Sequence, residues 1–247
     1  MAARVDSPSA EALRASDIAP LSVYRPRSLL NIPAGDWGDS LALVEFGDEI
    51  TAYAAFQEIA VTPEDPSAGT TVRGARVCFR RGRWVGSLPA WAWKGASWYD
   101  SMLALPGGAP VGQLPEAFES MLHQDRVPGS ERVLASQVLG GAIEAPALAV
   151  ALDCDGDTAW IYAAMAKRAA LGPLKILGWR SASGDEDLFF RENPDLPPAS
   201  LRFSTRGAVA VEGCFDPDKV NSWLKSQYAG LKSIEKSLNT LKSLSFD

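Results

Sequence analysis

Ala147-Leu148-Ala149-Val150-Ala151-Leu152 is followed at once by Asp153-Cys154-Asp155-Gly156-Asp157, and then by Thr158-Ala159-Trp160-Ile161-Tyr162-Ala163-Ala164-Met165-Ala166. Two short apolar runs around an Asp-Gly turn are a hairpin signal, because Asp and Gly tolerate the positive φ that a tight strand reversal needs. The link is far too short for a helical crossover, so the strands run antiparallel. The same texture recurs upstream. Residues 41–46, Gly47-Asp48 and residues 50–61 predict one hairpin; residues 72–80, Arg81-Gly82 and residues 83–88 predict another. Residues 63–70 between them read as a polar surface loop. Further strands are expected at 174–179, 187–190, 201–204 and 208–213, with helical patterns at 115–124 and 130–139.

The segment Gly47-Asp48-Glu49-Ile50-Thr51-Ala52-Tyr53-Ala54-Ala55-Phe56 aligns without gaps on Gly156-Asp157-Thr158-Ala159-Trp160-Ile161-Tyr162-Ala163-Ala164-Met165, with five identities. The alignment predicts two related β-rich halves, 39–112 and 146–213, joined by helices within 113–145. Before them, Pro20, Pro26 and Pro33 keep residues 1–38 extended as an arm placed to pack on a partner. After them, residues 214–247 read as a long helix. Asp216 is its N-cap, Pro217 its first residue and Asp218 an acid in its first turn. Val220, Leu224, Gln227, Leu231, Ile234, Leu238, Leu241 and Ser245 make one stripe, and Lys219, Lys225, Lys232, Lys236 and Lys242 cover the rest. That stripe suits either the chain's own sheet or a partner. The fold class is therefore α+β: an antiparallel core (39–213) built from hairpins, with a long C-terminal amphipathic helix.

Composition narrows the function classes. Of 247 residues, 47% are hydrophobic and 22% charged, which is the balance of a folded chain. Twenty-four basic residues against 30 acidic ones leave a net charge of −6, which argues against a surface that coats DNA or anionic membranes. No run reaches the ~20 apolar residues of a membrane span, and Met1 to Ala19 carries charges where a signal peptide is apolar. Cys78, Cys154 and Cys214 are odd in number and lack C-x-x-C spacing, so neither a cystine framework nor a zinc site is expected, and a reducing, cytoplasmic setting is. His123 is the sole histidine, which removes every site needing two imidazoles. It reads as a helix-end residue. No metal or cofactor is expected.

Residues 66–99 stand apart, with Arg73, Arg76, Arg80, Arg81, Arg83 and Lys94 and no acid, beside Trp84, Trp91, Trp93 and Trp98, four of the eight tryptophans. Cations interleaved with flat rings suit single-stranded nucleic acid, whose phosphates they neutralise and whose bases they stack. Strand alternation places Arg76, Cys78 and Arg80 on one face and Ala75, Val77 and Phe79 on the core face. An acidic protein partner would use the same residues, and so would a core of tryptophans with arginines paired to acidic loops.

Asp153-Cys154-Asp155-Gly156 after an apolar strand resembles the first motif of haloacid-dehalogenase-type phosphotransferases. That resemblance implies Asp153 as nucleophile, Asp155 as acid/base and a bound Mg²⁺. It spans only these residues: Asp157 stands where that family has Thr or Val, and no downstream Lys and paired-Asp motifs follow. An EF-hand loop does not fit either, with Ala164 at position twelve. The turn reading needs only Asp and Gly. Without a catalytic constellation, the expected function is a non-catalytic subunit of a larger assembly. Other protein subunits, and single-stranded nucleic acid at the basic hairpin, are its expected partners.

Overall fold

Short apolar segments reversed by glycine turns build two antiparallel sheets in this chain, one in each of two units, Met1–Pro115 and Glu116–Asp247. The structure, a computed structural model, describes residues 27–33, 40–59, 69–73, 76–89, 110–121, 125–135, 138–167 and 171–243. Among the described residues no helix is long and apolar enough to cross a membrane.

The first unit contains β1 (Ser28–Pro33), β2 (Ser40–Glu45), α1 (Glu49–Ile59), β3 (Thr70–Arg73), β4 (Arg76–Arg81) and β5 (Trp84–Pro89). Its sheet has the order β1-β2-β5-β4-β3. The β4–β5 hairpin forms, turning at Gly82 and Arg83, but the strand expected over 72–80 is divided between β3 and β4, which pair with each other. The first hairpin does not. Residues 50–61 were expected as a strand, yet Asp48 Oδ1 accepts the Thr51 N–H at 2.9 Å and opens α1. The run Ile50–Ile59 has no Gly or Pro to stop a helix, and α1 buries Ala52, Tyr53, Ala55 and Phe56 against β4 and β5. Gly47-Asp48 thus caps a helix where Gly156-Asp157 ends a hairpin turn, so the aligned segments adopt different structures. β2 pairs instead with β1, so residues 28–33 of the expected arm form an edge strand. Pro33, at its end, removes no bond the ladder needs. Residues 1–26 of the arm lie outside the described residues.

The second unit contains α2 (Glu116–Glu119), β6 (Arg132–Leu134), β7 (Ala147–Cys154), β8 (Asp157–Ala164), α3 (Leu171–Ile176), β9 (Trp179–Ala182), β10 (Asp185–Arg191), β11 (Ala199–Phe203), β12 (Ala208–Glu212) and α4 (Pro217–Ser243). The sheet order is β6-β7-β8-β12-β11-β10-β9, antiparallel throughout. One face carries Ala149, Tyr162, Ala210, Leu201, Phe189 and Trp179 in a single core. α4 lies on β7, β8 and β12 and buries Val220, Trp223, Leu224, Gln227, Leu231, Ile234, Leu238 and Leu241. Asp216 Oδ1 accepts the N–H groups of Asp218 (2.9 Å) and Lys219 (3.2 Å), the cap the sequence predicts. The apolar stripe is occupied by the chain's own sheet and is not open to a partner; Ser245 lies outside the described residues.

Three further expectations change. The helical patterns at 115–124 and 130–139 reduce to the single turn of α2 and to strand β6. In the second, Ser130 Oγ accepts the Ala151 N–H at 2.9 Å, seating the segment beside β7, where residues 132–134 pair as a strand. The strand expected at 174–179 is divided. Leu174 lies in α3, Gly178 at φ 80° ends that helix, and β9 starts at Trp179. Finally, Cys154 and Cys214 form a disulfide, where the odd count and scattered spacing suggested none; Cys78 is buried and takes no part in it. Sequence spacing carried no signal, because strand order brings together residues 60 positions apart.

Candidate functional site

The basic hairpin is largely interior. Arg80 is fully buried, its Nη2 donates to the Gln113 carbonyl at 2.7 Å, and its guanidinium lies 5.0 Å from the Tyr53 ring centroid. Burial lowers its pKa to about 10, with Tyr53 and Glu49 opposing the fall. Arg81 and Trp84 are buried as well. Arg83 is partly exposed and pairs with Glu45 at 2.7 Å. Alternation had set Cys78 and Arg80 outward, but α1 covers that face while Val77 and Phe79 bury the other. Arg80, Arg81 and Trp84 therefore present no surface to a ligand. Arg73 and Arg76 are backbone register partners at the β3–β4 end. Their side chains, with Lys94, Trp91, Trp93, Trp98 and His123, lie outside the described residues.

The acidic turn has its own geometry. Asp153 Oδ1 accepts the Gly156 N–H at 2.8 Å, while Asp155 (φ 58°) and Gly156 (φ 93°) complete the reversal into β8. Asp155 Oδ1 accepts from Lys219 Nζ at 2.7 Å, and that hydrogen bond raises the lysine pKa. Both carboxylates are thus engaged in turn and helix contacts. Among the described residues no three His, Cys, Asp or Glu side chains converge as a metal site.

A third constellation, which local pattern did not show, lies across the second sheet. Strand pairing sets Trp179 opposite Arg191, Ala199 opposite Glu212 and Glu212 opposite Trp160, while the β10–β11 register brings Arg191 beside Ala199. The alanine methyl leaves room for Arg191 Nη2 to reach Glu212 Oε1 at 2.5 Å, and Glu212 Oε2 accepts the Tyr162 hydroxyl at 2.9 Å. Burial, then the Glu212 charge and hydrogen bond, push the Tyr162 phenol well above its ordinary pKa. The Arg191 guanidinium also sits 5.8 Å from the Trp179 ring, and its Nε donates to the Pro197 carbonyl at 3.0 Å.

These contacts anchor the loop between β10 and β11. The Gly213 N–H donates to the Pro198 carbonyl at 2.8 Å, the Glu192 N–H to the Gly178 carbonyl at 3.0 Å, and Asn193 Oδ1 accepts from the Asp195 N–H at 2.9 Å. Between this loop and the α3–β9 turn is a cleft of about 800 Å³. Its apolar wall includes Ile176, 87% exposed, and Leu196, 46% exposed, with Trp179 buried at its side. Lys175, Arg180 and Glu192 form its charged margin, and Arg180 Nε pairs with Glu192 Oε2 at 2.5 Å. In the sequence, the readable hints are Leu196-Pro197-Pro198 after a strand and an apolar pair just before Gly178. Compared with models of protein families, with curated proteins and with solved structures, the chain matches none.

Proposed function

We propose that this chain is a non-catalytic binding subunit of a larger assembly, and that the cleft between α3–β9 and the β10–β11 loop receives an apolar segment of a protein partner. The observation that carries this reading is the exposure of Ile176 and Leu196 on one cleft, beside a unit whose other large aliphatic side chains are mostly buried. Exposed apolar patches rimmed by polar groups are characteristic of interaction sites, and the volume is in the range of known binding clefts. The cleft wall is held by the Tyr162–Glu212–Arg191 chain, so it needs little ordering on binding. Lys175 at the margin favours acidic residues next to the apolar segment. Support for single-stranded nucleic acid is weaker: of the described arginine and tryptophan side chains in residues 66–99 only Arg83 is partly exposed, and it is paired. A cytoplasmic, reducing location has the cystine against it.

A photo-crosslinking amino acid placed at position 176 or 196 of the full chain tests the reading in its native cell. The same adduct is expected from both positions and not from Asn239 on the outer face of α4. Ile176→Asp with Leu196→Asp should abolish the interaction while shifting Tm by no more than about 2 °C, as exposed substitutions do. Adducts from all three positions, or none, would sink the proposal. Salt-dependent binding of labelled single-stranded RNA would return the nucleic-acid reading to first place.

A further inference from the structure

Cys154 closes β7, and Cys214 lies between β12 and the cap residue Asp216. The two are disulfide-bonded, with Cα atoms 5.7 Å apart and a sequence separation of 60. β7 and β12 are not neighbours, because β8 runs between them. The bridge therefore joins the end of β7 to the segment that follows β12, which no backbone ladder connects. It does so where α4 begins, beside the Asp155–Lys219 pair and near Trp223, whose Nε1 donates to Asp125 Oδ2 at 3.2 Å. Both cysteines are about as buried as the surrounding core, at 5% exposure each.

We infer that Cys154 and Cys214 are a redox-modified site that clamps the start of α4 to the β7–β8 hairpin, so that the second unit is completed by oxidation. One thiolate attacks a small-molecule or protein disulfide, and the second thiolate then resolves the mixed disulfide. Two protons and two electrons leave the cysteine pair, and the oxidant departs as two thiols. A dithiol reductant reverses the step. Closing a long loop restricts the unfolded chain most, which is why this bridge stabilises more than a local one. Without it, the helix start keeps its cap, an exposed ion pair and the burial of Val220, Trp223 and Leu224, but no covalent tie to β7. The inference is independent of what fills the cleft.

Full-length protein refolded in a glutathione redox buffer, then denatured and titrated with a thiol reagent, should show one free thiol, Cys78, with a peptide linking positions 154 and 214. Adding dithiothreitol should lower Tm by on the order of 10 °C. Amide exchange should accelerate at residues 214–224 and 153–158. The Cys154→Ser, Cys214→Ser pair should match the reduced protein and ignore dithiothreitol. Cys78→Ser, which keeps the bridge, provides the same comparison if that pair does not fold. Three free thiols after oxidative refolding, or unchanged Tm and exchange on reduction, would overturn the inference.

Discussion

Gly86 sits where Phe79 and Leu43 meet from the two neighbouring strands, and a Cβ built there would lie 2.3 Å from Phe79 Cζ. Gly207 is tighter in a different way, since its Cβ would lie 2.3 Å from the Ala164 carbonyl oxygen, a backbone atom that cannot rotate aside. Gly86→Ala should destabilise by about 1–3 kcal/mol, the usual cost of overpacking. Gly207→Ala should cost more than Gly86→Ala, and urea unfolding of the two variants checks the order. Tyr162 makes a different prediction. Its phenol stays protonated in the fold but ionises near pH 10 when unfolded, so its contribution to stability is fully present below about pH 10 and is lost as pH rises beyond it. In an ultraviolet titration, Tyr162→Phe should remove one phenolate transition lying well above the ordinary tyrosine range. If the difference spectrum shows an ordinary tyrosine, the buried Tyr162–Glu212 contact is not formed.

At the scale of elements, α4 shows how a local pattern and its tertiary use diverge. Its stripe contains Gln227, 1% exposed, whose amide oxygen and nitrogen have no hydrogen-bond partner among the described residues. Burying an unsatisfied amide is costly, so Gln227→Met, similar in volume and without polar donors, should stabilise by about 1 kcal/mol in chemical denaturation. A destabilised variant would mean that the amide is satisfied in solution. The cap of α4 and its apolar spacing were legible because they depend on residues at most four positions apart. α1 was not, because its alanine-rich run suits strand or helix, and the decision fell to the Asp48 cap and to burial against β4 and β5.

For the whole molecule, each unit has its own sheet, and the core of the second is formed from residues 138–210 with α4 on the opposite face. A fragment spanning Glu116–Asp247 should therefore fold alone, showing antiparallel-sheet circular dichroism and one cooperative thermal transition. A fragment without cooperative unfolding would mean that the second unit depends on the first. The pairing of β12 with β8 is the element of topology on which this rests. Between them lies a helix and a three-stranded excursion, β9 to β11, so no local signal could announce the pairing.

The candidate site inherits that limit. The Trp179–Arg191–Glu212–Trp160 row exists only because β12 returns beside β8, so its members are scattered in sequence and unremarkable one by one. By itself the sequence determined the α+β class, the hairpins β4–β5 and β7–β8, strands β10 to β12, and α4 with its cap. These follow from turn residues, capping and periodicity, which act over a few positions. Tertiary structure alone decided that α1 is a helix, that Arg80 and Trp84 are interior, that Asp155 meets Lys219 of α4, and that Cys154 meets Cys214. Burial of a strand's second face and the meeting of distant side chains depend on which elements pack together, and sheet order is set by the chain as a whole.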